Sequence, residues 1–172
     1  MDSISLQTLV WLFIVAFVIH DLEEIIWVEP WMKKNARRVA PALPLRMRPA
    51  FEKMSRLTSS QFAVAVLMEF IIFIPFTYIA AEKGRFFMFL AFNTLFFLHV
   101  FTHLGQSLYL RKYTPGVVTA VLVVLPYTVY LFSRLLGEKW VTWGEILFSV
   151  PVGFILAPCV LLGHELGRRI VK

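Results

Sequence analysis

Titratable side chains within long apolar stretches are the chemically informative feature of this 172-residue sequence. All four histidines, His20, His99, His103 and His164, lie in such stretches. A titratable group in an apolar environment costs several kcal/mol and is rare without a purpose. These positions therefore indicate a functional site between apolar helices.

The run HDLEE carries the first group of candidate residues. His20, Glu23 and Glu24 stand at i, i+3 and i+4, which share one face of a helix. Residues 4–19 rise only about 24 Å as a helix, so a segment that crosses hydrocarbon must include this run. We predict that His20 and Glu24 bind a metal ion and that Glu23 and Glu24 are catalytic.

The third and fifth apolar stretches carry the second group. His99, His103 and Gln106 stand at i, i+4 and i+7, and a histidine pair four residues apart on a helix can bind one metal ion through both imidazoles. His164 and Glu165 are adjacent and point about 100° apart, so we expect His164 to face the bundle.

These side chains are the ones that metal sites in helical bundles use. A di-iron site takes four carboxylates and two histidines, whereas a mononuclear zinc site takes three protein ligands and leaves Glu23 or Glu24 as a general base. A single cysteine, Cys159, excludes multi-cysteine sites and favours nitrogen and oxygen ligands, hence one or two Zn or Fe ions. The predicted ligands are His20, Glu24, His99, His103 and His164, and the predicted supporting or bridging residues are Glu23, Glu69, Gln106, Glu165 and Asn93.

Membrane-spanning helices must position these residues. With 59% hydrophobic residues, 16% charged residues and a mean hydropathy of +0.73, the chain is too apolar for a soluble domain. We predict an all-α integral membrane bundle that forms a single domain over residues 1–172, with a basic cytoplasmic loop at 29–56. Its five transmembrane spans are expected at about 4–28, 57–81, 86–109, 116–136 and 143–166.

Charge and helix rise predict the topology. Lys and Arg are concentrated in the first loop, the third loop and the carboxyl-terminal tail, so we expect the amino terminus outside and the carboxyl terminus in the cytoplasm. With that orientation, helix rise places the histidines of the first, third and fifth spans near the cytoplasmic leaflet. The expected location is the plasma or inner membrane, and the expected partners are membrane lipids rather than nucleic acid.

The HDLEE run resembles the motif of the HXXEE-domain family of small integral membrane proteins. Tyr113-Thr114-Pro115-Gly116 is similar to a second element associated with that family. Five spans and a second histidine-bearing helix are similar too. The resemblance implies a small integral membrane protein and no particular activity.

The residues favour a metal-dependent enzyme that acts on a lipidic substrate. Zinc would indicate hydrolysis, and iron would indicate oxidation. Three alternatives stay open: a metal-ion or proton-coupled transporter or metal-binding protein, a metal-free intramembrane hydrolase that uses Glu and His, and a set of polar residues that only clamp the helices together.

Overall fold

The structure is a computed structural model that describes residues 4–156 and 158–171. All regular structure in these residues is helical, which confirms the predicted all-α fold. The helices are α1 (Leu6–Val39), α2 (Arg48–Ser55), α3 (Ser59–Lys83), α4 (Phe87–Leu110), α5 (Val117–Gly137), α6 (Trp143–Leu156) and α7 (Pro158–Ile170).

Within residues 4–156 and 158–171, four segments are long and apolar enough to cross a membrane. They are α3, α4, α5 and the segment Trp143–Ile170, which contains α6 and α7. The sequence predicts about five spans, and α1 is not among these four. Its apolar stretch contains Asp21, Glu23 and Glu24, which lower its apolar character. These helices have the length and composition of membrane spans, and the first helix is more polar than α3 or α4.

Helix α1 extends well past its apolar part. It continues through Pro30 to Val39, with Arg37 and Arg38 in its last turn, where cations interact favourably with the helix dipole. The α-helix ends at Val39 and gives way to a 3₁₀ turn over Ala40–Ala42, because Pro41 has no N–H to donate to the Arg37 carbonyl. Much of the basic segment 29–56 is consequently helical rather than an irregular loop.

Phenylalanines hold α1, α3 and α4 together. The Phe13 ring on α1 is fully buried and lies 5.2 Å from Phe73 on α3 between ring centroids. It lies 5.6 Å from Phe89 and 5.8 Å from Phe96, both on α4 and both edge-on. Such tilted and edge-on pairs stabilise a core beyond simple burial of area. This core fixes α1 against α4, the two helices that carry the HDLEE run and the His99/His103 pair.

Glycines allow α7 to pack closely against α3. A Cβ atom on Gly163 would lie 3.0 Å from Ala65 Cα, and one on Gly167 would lie 2.2 Å from the Gln61 carbonyl oxygen. Small residues at such crossings let two helix backbones approach each other. The orientation of α7 is therefore set by the face that carries its two glycines.

The beginning of α5 contains a widened turn. The backbone N–H of Leu125 donates to the carbonyl of Ala120, five residues earlier, within the segment Ala120–Val124. Pro126 follows directly and has no N–H to donate to Leu122, which disfavours regular α-helical bonding here. Wide turns of this kind occur often at functional sites. This one lies directly after Thr119.

Candidate metal centre

Four side chains from α1 and α4 meet inside the bundle. His20 and Glu24 come from α1, and His99 and His103 come from α4. Each offers one nitrogen or oxygen atom, and these four atoms all lie within 4.8 Å of one another. His20 and His103 are 1% and 3% exposed, whereas His99 is more accessible. This buried His/Glu cluster can hold a metal ion.

Close contacts between these atoms fit a shared metal ion. The Nε2 atoms of His99 and His103 are 2.8 Å apart, and His103 Nε2 is 3.3 Å from Glu24 Oε1. Ligand atoms that bind one metal ion at about 2.1 Å lie about 3.0 to 3.4 Å apart, close to these separations. Among the described residues, His20 Nε2 has no hydrogen-bond partner although it is buried. A buried nitrogen without a partner is costly unless something else occupies its lone pair.

Hydrogen bonds from α5 fix the tautomer of His20. The Thr119 hydroxyl donates to Glu23 Oε2 at 2.6 Å and lies 3.0 Å from His20 Nδ1. Because the hydroxyl donates its hydrogen bond to the carboxylate, its oxygen can only accept a hydrogen bond from His20. The imidazole proton is therefore on Nδ1. The lone pair is then on Nε2, the nitrogen available to a metal ion. A partner that orients a histidine in this way is typical of metal sites.

His99 is oriented in the same manner. The Thr102 hydroxyl donates to the His99 carbonyl at 2.7 Å and lies 3.2 Å from His99 Nδ1. The hydroxyl oxygen is therefore free to accept a hydrogen bond from Nδ1–H, which again leaves the Nε2 lone pair for the cluster. Two of the three histidines thus have a tautomer suited to metal binding.

Glu23 lies beside the cluster and supports it. Its carboxylate accepts from the Thr119 backbone N–H at 2.7 Å, from the Thr119 hydroxyl, and from the Tyr113 hydroxyl at 2.7 Å. Three donors that converge on one carboxylate fit its ionised form, which only accepts. Burial and the hydrogen bond to Glu23 raise the pKa of the Tyr113 hydroxyl, which keeps it a donor.

The segment between α4 and α5 packs directly on the cluster. Gly116 has a φ of +86°, a conformation that favours glycine. A Cβ atom there would lie 2.5 Å from His103 Cε1 and 2.9 Å from Glu24 Oε1. The Trp31 indole N–H donates to the Tyr113 carbonyl at 2.6 Å, which ties this segment to α1. Gly116 is therefore required both for the turn and for space beside the cluster.

Two further carboxylates lie near the cluster. Asp21 is buried on α1, and Glu69 is partly buried on α3. Both lie within electrostatic range of Glu24. The sequence singles out Glu69, but it does not decide whether Asp21, which turns away from the face of His20 and Glu24, orients a histidine or pairs with Lys33.

The remaining candidate residues lie outside the four-residue cluster. The His164 ring lies 5.0 Å from the Phe62 ring, because the α7 face with the two glycines packs on α3 and turns His164 toward that phenylalanine. Glu165 pairs with Arg168 at 2.6 Å. Gln106 is exposed, and Asn93 is buried, where its amide donates to the Phe89 carbonyl of its own helix at 2.9 Å.

Sequence reasoning missed the roles of Thr119, Tyr113 and Gly116. Thr119 stands in an apolar stretch with no motif around it, so no periodic signal marks it. Tyr113 and Gly116 belong to the YTPG element, which the sequence reveals only through its resemblance to a family. Its turn residues, Pro and Gly, are the signal that could have indicated a tight return of the chain beside the histidines.

Comparisons with known proteins agree with the motif. The family described as "Protein of unknown function with HXXEE motif" matches residues 11–131, which include all four residues of the cluster and Thr119. The chain is 23% identical over 162 residues to a Bacillus subtilis (strain 168) protein named "Uncharacterized protein YrkK", covering 92% of this chain and 94% of that relative. No solved structure matches the chain.

Proposed function

The chain belongs to the HXXEE family, and we propose that the residues of its motif build the metal centre of a membrane-embedded enzyme. The observation that carries this proposal is the meeting of His20, Glu24, His99 and His103 within 4.8 Å. A packing clamp does not require three imidazoles and a carboxylate at one point, nor two histidines whose tautomers direct their lone pairs to that point.

The arrangement favours one metal ion over two. A two-metal site in a helical bundle uses about four carboxylates. Here Glu23 accepts three hydrogen bonds from Tyr113 and Thr119, and Glu165 is paired with arginine elsewhere. Three histidines and Glu24 remain as ligands, a nitrogen and oxygen set that suits Zn²⁺ or Fe²⁺.

The proposed substrate is lipidic. We place α1 across the membrane as a fifth span, with the amino terminus outside and the basic end of α1 in the cytoplasm. The cluster then lies among apolar helices, where a substrate dissolved in the bilayer can reach it. A bound metal ion would supply a Lewis acid and a more acidic water molecule. Glu69 would take up the proton, because Glu24 is one of the four proposed ligands and Glu23 already accepts three hydrogen bonds.

The test is the metal content of protein purified in detergent without added metal, measured by mass spectrometry. We expect close to one Zn or Fe per chain in the wild type and almost none in the His99→Ala/His103→Ala double variant. His164→Ala is the matched control, because it removes an intramembrane histidine that lies outside the cluster. It should keep the wild-type metal content.

Each other result has a defined meaning. No metal in the wild type, even after incubation with Zn²⁺ or Fe²⁺, would contradict the metal centre and favour proton transfer or a metal-free hydrolase. Weakly held metal that is lost on dialysis would favour a transporter. Equal loss in His164→Ala and the double variant would indicate a general failure of folding rather than loss of ligands, and circular dichroism of both variants would test this.

The metal found also separates the two reaction types. Zinc would direct activity assays toward ester or amide hydrolysis in mixed micelles, with Glu24→Gln as the inactive comparison. Iron would direct them toward oxygen-dependent oxidation of a lipid. In either assay, activity that survives the removal of metal would refute the proposed enzyme.

A further inference from the structure

A surface groove lies next to the metal centre, and a single residue, Thr119, both lines the groove and hydrogen-bonds to the cluster. Its lining residues are Glu23, Trp27, Tyr113, Val118 and Thr119, and its volume is about 360 Å³. Thr119 links the groove to the cluster, because its hydroxyl contacts both Glu23 and His20. The groove is thus formed between α1 and the segment that leads into α5.

The groove combines an apolar surface with one negative charge. Trp27 is 51% exposed, Val118 is 46% exposed and Tyr113 is 40% exposed, so both aromatic residues are accessible. Glu23 accepts three hydrogen bonds and is the single charged residue of the lining. Aromatic faces beside a carboxylate attract ammonium groups through the ring quadrupole and through charge.

We propose that this groove binds the head group of an ammonium-bearing amphiphile from the cytoplasmic leaflet. The ammonium group lies between Trp27 and Tyr113 against Glu23, and the alkyl chain follows Val118 into the membrane. That this amphiphile is also the substrate rests on the proposed function. Binding itself requires only the groove.

The positive net charge of the protein allows binding of an ammonium group in the groove to be distinguished from nonspecific electrostatic attraction. The chain has a net charge of +6, and its basic residues are concentrated around the segment 29–56. Nonspecific electrostatics would therefore favour anionic amphiphiles. Preference for a cation at this one groove must come from local residues.

The experiment measures quenching of tryptophan fluorescence by hexadecyl amphiphiles that carry a nitroxide on the head group. The head groups compared are a quaternary ammonium and a phosphate, added to protein in dodecyl maltoside. The signal from the groove is the difference between the wild type and Trp27→Phe. We expect the ammonium amphiphile to bind about tenfold more tightly than the phosphate amphiphile, as one ion pair and a cation–π contact would provide.

Variants test whether Glu23 is the cause. Glu23→Gln should abolish the preference, whereas Glu29→Gln should keep it, because Glu29 is on the same helix but pairs with Lys33 outside the groove. Val118→Lys should weaken binding of the ammonium amphiphile without changing Glu23. Equal binding of the two amphiphiles to the wild type, or a preference for phosphate, would overturn the proposal.

Metal content measured on the same samples separates this proposal from the previous one. An ammonium preference in protein without metal would support the groove and contradict the metal centre. One metal ion per chain without an ammonium preference would support the metal centre and refute the groove.

Discussion

Replacing Thr119 with valine tests how α5 supports the metal centre. Valine has nearly the same shape but no hydroxyl, so His20 Nδ1 loses its acceptor and Glu23 loses one of three donors. The Thr119 backbone N–H still donates to Glu23, which keeps the carboxylate in place. The change is therefore confined to one hydroxyl between the groove and the cluster.

The size of the effect follows from the tautomer of His20. Without metal, the imidazole of the variant can move its proton to Nε2, so the metal-free protein is little affected. Metal binding returns the proton to Nδ1, where the buried N–H then has no acceptor, at a cost of about 1–3 kcal/mol. Loss of such a supporting partner typically weakens metal affinity by about 10- to 100-fold, which agrees with that range. We expect this loss for Thr119→Val.

The assay is competition for Zn²⁺ with a fluorescent chelator in detergent. Thr119→Ser keeps the hydroxyl and should bind within about threefold of the wild type. Thr128→Val is the second control, because Thr128 is buried on the same helix and its hydroxyl contacts only carbonyls of that helix. Wild-type affinity in Thr119→Val would refute the tautomer argument. Equal loss in Thr128→Val would show that the effect comes from α5 as a whole.

Five other substitutions, in three tests, probe neighbouring features. Gly116→Ala should abolish metal binding, because the backbone has a positive φ there and the added Cβ would overlap the adjacent imidazole. Gly105→Ala is the control: its Cβ would have no neighbour within 4 Å, so metal binding should be unchanged and the melting temperature should stay the same or rise. Glu24→Gln should lower the metal content to near zero, and Glu69→Gln should keep it but slow any hydrolysis; equal metal loss in both would place Glu69 among the ligands. Gly167→Ala should lower the melting temperature by several degrees without changing zinc affinity at 25 °C, since its Cβ would overlap the backbone of α3; unchanged melting would contradict that close packing.

The apolar runs predict most of the helices, but not how far α1 extends. Hydropathy predicts the end of a span where charges begin, near residue 28, because it measures transfer into hydrocarbon. The backbone follows local propensity instead, and Lys and Arg are good helix formers. Helix α1 therefore continues through the basic residues to Val39, where Pro41 ends it. The same charges that indicate the membrane boundary do not end the helix.

Helix rise gives the depth of a residue but not its neighbour. His164 has a suitable predicted depth, yet the contact face of α7 is set by Gly163 and Gly167 against α3. The contact face of α7 depends on its packing partner, and that partner is determined by small residues in α3 and α7, which are far apart in the sequence. His99 and His103 differ in this respect, because α1 and α4 are held together by the phenylalanine core directly beside the histidines. The role of Thr119 could not be predicted from the sequence for a related reason, because the turn at Gly116 is what brings Thr119 to His20 and Glu23.

The spacing of the HDLEE run gains a physical meaning from this geometry. His20 and Glu24 are four residues apart and face α4, where His103 lies 3.3 Å from Glu24. Glu23 is rotated by about 100° from Glu24 and faces the start of α5, where it accepts hydrogen bonds from the Thr119 and Tyr113 hydroxyls. One glutamate can therefore bind a metal ion while the other fixes the histidine that binds beside it. Glu23→Gln should weaken metal binding only in part, because the glutamine oxygen still accepts from Thr119. Glu24→Gln should abolish it, because it removes a charged ligand. Equal loss of zinc affinity in the two variants would contradict this division.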